Sequence, residues 1–156
     1  MITKILLLTL CLSACATSPE FGNAESGKAT VNPEHLANTT QFGYSQATIV
    51  SPNATVIFVA GQIGTNDEGP NDFESQVDRA FNNLVSVLEA SGGRVEDVVK
   101  ITLLIKDHNY EKLQYLVKKR LQVFGTTPPA STLIPVSALA LESLEFEIDA
   151  IAVASR

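Results

Sequence analysis

The chain has 156 residues, 45% of them hydrophobic, with a formal net charge of −6 and a pI near 4.8. That length accommodates one domain with a sizeable core and leaves little room for a second. No cluster of Lys and Arg stands on an aromatic background, so nucleic acid is not an expected partner.

Met1–Lys4 carries one positive charge, and Ile5–Leu12 is an apolar run too short to span a bilayer. Leu12-Ser13-Ala14-Cys15 then has the form of a bacterial lipobox, in which small residues precede a Cys that takes the lipid after cleavage. The alternative is an ordinary secretory signal cut near Ala14 or Ala16. Residues 1–14 are therefore expected to be a signal peptide and Cys15 the lipidation site. Residues 15–31 read as a flexible linker of Ser, Gly, Asn, Glu and Thr, and residues 32–156 as the folded domain. A lipid on Cys15 would anchor the domain to a membrane in the periplasm. Ala16 rather than Asp after Cys15 points to the outer membrane of a Gram-negative cell. The only cysteines are Cys11 and Cys15, so the domain offers no disulfide, thiolate nucleophile or Cys-ligated metal. His35 and His108 are far apart in sequence and outside any H-x-x-x-H spacing, so no metal and no cofactor is expected.

From Asn32 the chain alternates between periods of two and 3.6. Gly43–Val50 reads as a strand, Ser51–Asn53 as a turn and Thr55–Ala60 as a second strand, which together form a hairpin. Val56-Ile57-Phe58-Val59 is continuous apolar sequence, the pattern of a strand buried on both faces. Ala60-Gly61-Gln62 leaves that strand with little side-chain bulk, so a second backbone or a ligand could come close. Asp72 is a good N-cap for a helix over Phe73–Ser91, whose stripe is Val77, Ala80, Phe81, Leu84, Val85 and Leu88. Val98–Lys106 is a third strand. Asn109 caps a second helix over Tyr110–Phe124, with Leu113, Leu116, Val117, Leu121 and Phe124 as its stripe and Lys118, Lys119 and Arg120 as a solvated face. Ala130–Val136 and Leu144–Val153 are the last strands. The order β-β-α-β-α-β-β is an α+β domain, one mixed sheet covered on one face by two helices.

In the last strand Leu144, Phe146, Ile148, Ala150 and Ala152 share the face toward the helices. Glu145, Glu147, Asp149, Ile151 and Val153 share the other. Two apolar residues on that face favour a subunit interface, and acids at its edge are candidate general bases. Three solvated acids on an exposed strand are the competing reading.

Taken together, these segments resemble the Rid family, also called YjgF or UK114. The resemblance rests on Gly43-Tyr44-Ser45-Gln46-Ala47, Phe58-Val59-Ala60-Gly61-Gln62-Ile63, Val99-Lys100-Ile101-Thr102, Ile105-Lys106-Asp107 and Glu147-Ile148-Asp149-Ala150-Ile151-Ala152-Val153. It implies a chorismate-mutase-like fold and a homotrimer with clefts at the subunit interfaces. It also implies hydrolysis of small enamines and imines to keto acids and ammonia. By the same resemblance Glu147 would position or activate the water, and Tyr44, Gly61, Gln62, Ser131 and Thr132 would bind substrate. The family's Pro-Ala-Arg-Ser segment, whose Arg holds the substrate carboxylate, is here Pro129-Ala130-Ser131-Thr132. A hydroxyl cannot replace a bidentate guanidinium, so the anion grip is expected to be lost unless Lys118, Lys119 or Arg120 reaches in; three adjacent cations near a helix end are more often a solvated face. A neutral imine substrate or a non-catalytic ligand-binding module of the cell envelope then remain as the two functions.

Overall fold

The computed structural model describes residues 27–65 and 69–154. Cys15, the signal peptide and most of the expected linker lie outside them. Eight principal elements follow in order: β1 Lys28–Val31, β2 Ala47–Val50, β3 Thr55–Ile63, α1 Phe73–Ala90, β4 Val98–Lys106, α2 Tyr110–Phe124, β5 Ala130–Val136 and β6 Phe146–Ala154. Four strands form a mixed sheet in the order β3-β6-β4-β5. β6 lies antiparallel between β3 and β4, and β5 runs parallel to β4 after the α2 crossover. Both helices pack on one face, so the expected α+β architecture is present.

The helices form where their caps and stripes dictate. The Asp72 side chain accepts from Ser75 N at 2.9 Å, and Asn109 accepts from Lys112 N at 2.9 Å. α1 buries Val77, Ala80, Phe81, Leu84 and Leu88 against Ile101, Leu103, Ile105, Phe146 and Ile148. Phe81 stacks on Phe146 with centroids 6.1 Å apart. Gln76 is fully buried yet satisfied. Its amide donates to Asn71 O and Ser143 O and accepts from Glu145 N, which ties the segment entering β6 to α1.

Several sequence expectations need correction. Lys28–Val31, assigned to the linker, is a strand: β1 pairs antiparallel with β2. The hairpin does not form, because β2 bonds to β1 while β3 bonds to β6. Turn signals at Ser51–Asn53 fix a reversal, but strand partners are chosen by backbone groups elsewhere. β3 is buried on one face only; Ile57 and Val59 face the core, whereas Val56 is 47% and Phe58 78% exposed. Glu145 precedes β6 and pairs with Lys112 at 2.7 Å, so it does not share the face of Glu147. Val153, expected on that open face, is buried.

Candidate functional site

The sheet positions two clusters. The first lies on the open face at β3 and β6. A bulge between Val59 and Gln62 inserts one extra residue opposite Asp149. Gly61 sits in that bulge, and a Cβ built there would overlap the Glu147 carboxylate. Only Gly therefore permits the acid to lie against this turn of the strand. Gln62 folds its amide back onto Ala60 O at 3.0 Å, so the bulge satisfies its polar side chain locally. Glu147 is half-buried, in a row across the open face with Ile63, Leu104 and Ile134.

The second cluster lies at the opposite edge, where β5 meets α2. Ser45 donates through Oγ to Pro128 O at 2.7 Å and through its N–H to Pro129 O at 2.9 Å, fixing Tyr44 beside the start of β5. Gly43, at φ +73°, brings its turn against Arg120 and Leu121 of α2; a Cβ there would lie 2.7 Å from Arg120 Cβ. These contacts hold Tyr44 under the Arg120 guanidinium, whose carbon is 5.5 Å from the ring centroid. Arg120 Nη1 donates to Ser131 Oγ at 3.3 Å. Tyr44, His108, Leu113, Arg120, Ser131 and Leu133 line a cavity of about 300 Å³.

Of the three cations Lys118, Lys119 and Arg120, for which the sequence favours a solvated face over one reaching into the site, Arg120 is buried, at 4% exposure. The buried positions of α2 are Leu116, Arg120 and Phe124, an i, i+4, i+8 row, while Leu121 faces outward at 39%. That spacing was the available signal; ranking Arg as a surface residue concealed it. Of its neighbours, Lys119 pairs with Asp78 at 2.9 Å and Lys118 is exposed. Burial pushes the Arg120 pKa down, partly opposed by Tyr44, and the guanidinium stays charged at neutral pH.

The site residues read from the sequence thus fall into two groups. Gly61 and Glu147 are together, Gln62 adjoins them in the bulge but pairs with core-facing Ile148 on the other face, and Tyr44 and Ser131 are together. Thr132 points to the open face, the opposite side of β5 from Ser131, where its hydroxyl accepts from Lys100 Nζ. Burial lowers the Lys100 pKa, and nearby Asp149 raises it. β3 and β5 are the two edges of the sheet. The acid cluster and the arginine cluster are therefore at different edges of one chain. No group of three or more His, Cys, Asp or Glu among the described residues could hold a metal ion.

Residues 35–154 match the family model described as Endoribonuclease L-PSP. Among similar proteins is a RutC family protein of Pyrococcus abyssi, 36% identical over 114 residues, covering 70% of this chain and 84% of that one. A 2-iminobutanoate/2-iminopropanoate deaminase of Dermatophagoides farinae is 30% identical over 115 residues, with 70% and 84% covered. A Rid family protein of unknown function from Yersinia pestis, YyfB, superposes with a TM-score of 0.75 at 29% identity, covering 81% of this chain and 98% of its own. TdcF of Escherichia coli, solved with bound serine, has a TM-score of 0.56 at 26% identity, covering 80% and 94%. Fold, motifs and matches agree, and the chain belongs to the endoribonuclease L-PSP family, the Rid or YjgF/UK114 proteins.

Proposed function

We propose that the protein hydrolyses small imines to the corresponding carbonyl compound and ammonia, at sites completed between copies of the chain. The juxtaposition of Gly61 and Glu147 carries this reading. A carboxylate held against a side-chain-free bulge at the sheet edge is placed to act as general base toward a water that attacks a flat electrophile there. Glu147 takes a proton from water as its oxygen bonds to the imine carbon. That proton passes to nitrogen to give a carbinolamine; Glu147 then carries the hydroxyl proton to nitrogen as the C–N bond breaks, so ammonia leaves and the carbonyl remains. The names of the deaminase relatives support the reaction class.

Assembly follows from the separation of the two clusters. Phe58, Val56 and Ile134 leave an apolar open face, and such a face favours association. Packing the β5 edge of one copy near the β3 edge of the next would join Tyr44, Ser131 and Arg120 to Gly61 and Glu147. Three copies close such a ring, in keeping with the trimer implied by the resemblance. The lipobox Leu12–Cys15 further supports anchoring at the periplasmic face of the outer membrane; Cys15→Ser should leave the protein unprocessed and unlipidated.

The test is ammonia release from imines generated in situ, with wild type beside Glu147→Gln. The substitution keeps shape and removes the base, so the rate should fall by about 10²-fold or more with the fold unchanged. Equal rates in the two proteins, or no release by wild type, would contradict hydrolysis and leave a ligand-binding module.

A further inference from the structure

We propose that Arg120, delivered from α2, is the anion-binding residue of this cleft, and that its ligand is a small aliphatic acid carrying a carboxylate. The inference deepens the hydrolytic reading and rests on it for the reacting group, but the anion site stands on its own geometry.

A buried guanidinium needs a counter-charge, because desolvation costs more than neutral contacts return. Arg120 is 4% exposed and, among the described residues, has no ion-pair partner. Its bonded neighbours are neutral: the Ser131 hydroxyl and the Tyr44 ring. Nε is buried and has no hydrogen-bond partner. Of the other cations on this helix, Lys119 binds Asp78, Lys112 binds Glu145 and Lys118 is exposed to solvent. A buried guanidinium without a counter-charge, on a residue that lines a cavity, is a site prepared for an anion that arrives from outside.

The cavity narrows the class. None of its lining residues is acidic, so nothing there repels a carboxylate. Leu113 and Leu133 form apolar walls suited to a short aliphatic chain. About 300 Å³ is the small end of ligand pockets, which suits an acid of few heavy atoms. Serine at 131 is what makes room. The guanidinium of Arg120 reaches Ser131 Oγ, so a larger side chain at 131 would occupy its place. The loss of Arg at position 131 thus does not remove the anion grip; the charge enters from the helix instead of the strand.

The test is calorimetric titration of the purified full-length protein with 2-oxobutanoate, and with butanone as the analogue that lacks the carboxylate. Wild type should bind the acid and not the ketone. Arg120→Gln should weaken the acid by about 30-fold or more. Ser131→Asp supplies an internal carboxylate next to the guanidinium; it should abolish binding by competition while raising thermal stability, and it decides the matter even where Arg120→Gln does not fold. Wild-type affinity in either folded variant, or equal binding of acid and ketone by wild type, would overturn the inference. Arg120-dependent binding without ammonia release would sink hydrolysis alone. Ammonia release by Arg120→Gln with unchanged KM would sink the anion site alone.

Discussion

Two glycines three residues apart offer a sharp contrast. Neither Gly61 nor Gly64 has a positive φ, so a Cβ at either is tested only by what it meets. At Gly61 it meets the Glu147 carboxylate, the far end of a flexible side chain. At Gly64 it meets the backbone of Gln76, with carbonyl carbon and Cα at 2.7 and 2.8 Å. The first clash is relieved by a rotamer change costing about 1 kcal/mol. The second requires α1 to lift from β3, and overpacking of that kind costs about 3 kcal/mol or more. At about 2–4 °C per kcal/mol for a chain of this size, Gly64→Ala should lower Tm by roughly 6–12 °C and Gly61→Ala by less than about 4 °C. Activity should sort the other way. Displacing the Glu147 carboxylate by about 1 Å should cost on the order of 10²-fold in kcat for Gly61→Ala. Thermal melts and ammonia-release kinetics on both variants decide it. If Gly61→Ala melts as low as Gly64→Ala, or keeps wild-type kcat, the proposed packing of Glu147 against the bulge is wrong.

Other consequences are more local. Arg120→Met removes a buried, unpaired charge and should raise the Tm of the ligand-free protein by a few °C while abolishing acid binding, a trade of stability for function; a lower Tm would contradict it. Phe58→Asp, on a side chain 78% exposed in the single chain, should leave the fold intact and block assembly. Sedimentation should then give a trimer for wild type and a monomer for the variant, and a monomeric wild type at micromolar concentration refutes the interface. Burial, and then its bond to Asp78, push Tyr115 up to about 12 from its ordinary 10.0. The folded state therefore favours the neutral phenol. The stability this contributes is complete below pH 10.0 and is lost as pH rises toward 12. Phenolate absorbance should show one late-titrating tyrosine that disappears in Tyr115→Phe.

Much of the fold was legible because caps and stripes are local. Asp72 and Asn109 mark both helix starts, and the stripe from Val77 to Leu88 names most of the core. Strand pairing was not legible, since Thr48 and Ile49 suit β1 as well as β3; their partner is set by long-range contacts such as Thr48 Oγ1 donating to Val99 O. The run Val56–Val59 suggested two buried faces. In one chain the outer face is open, and an interface between copies would leave the same apolar pattern. At the site, Gly61 and Glu147 could be named separately, but their contact depends on a bulge that moves the register by one residue. Arg120 was hidden because its helical position favoured burial while its charge favoured solvent. Such a conflict between local preference and observed burial is what a functional position would show.

Mixing two inactive variants most directly tests whether the sites form between copies. Glu147→Gln lacks the base and Arg120→Gln lacks the anion grip. If each site takes Arg120 from one copy and Glu147 from the next, co-refolded equal mixtures should recover about one quarter of wild-type ammonia release, because one pairing in four carries both residues. Recovery of that size, with each variant inactive alone, is the predicted result. No recovery in mixed assemblies shown by sedimentation to contain both chains would place both groups in one subunit and contradict the shared cleft.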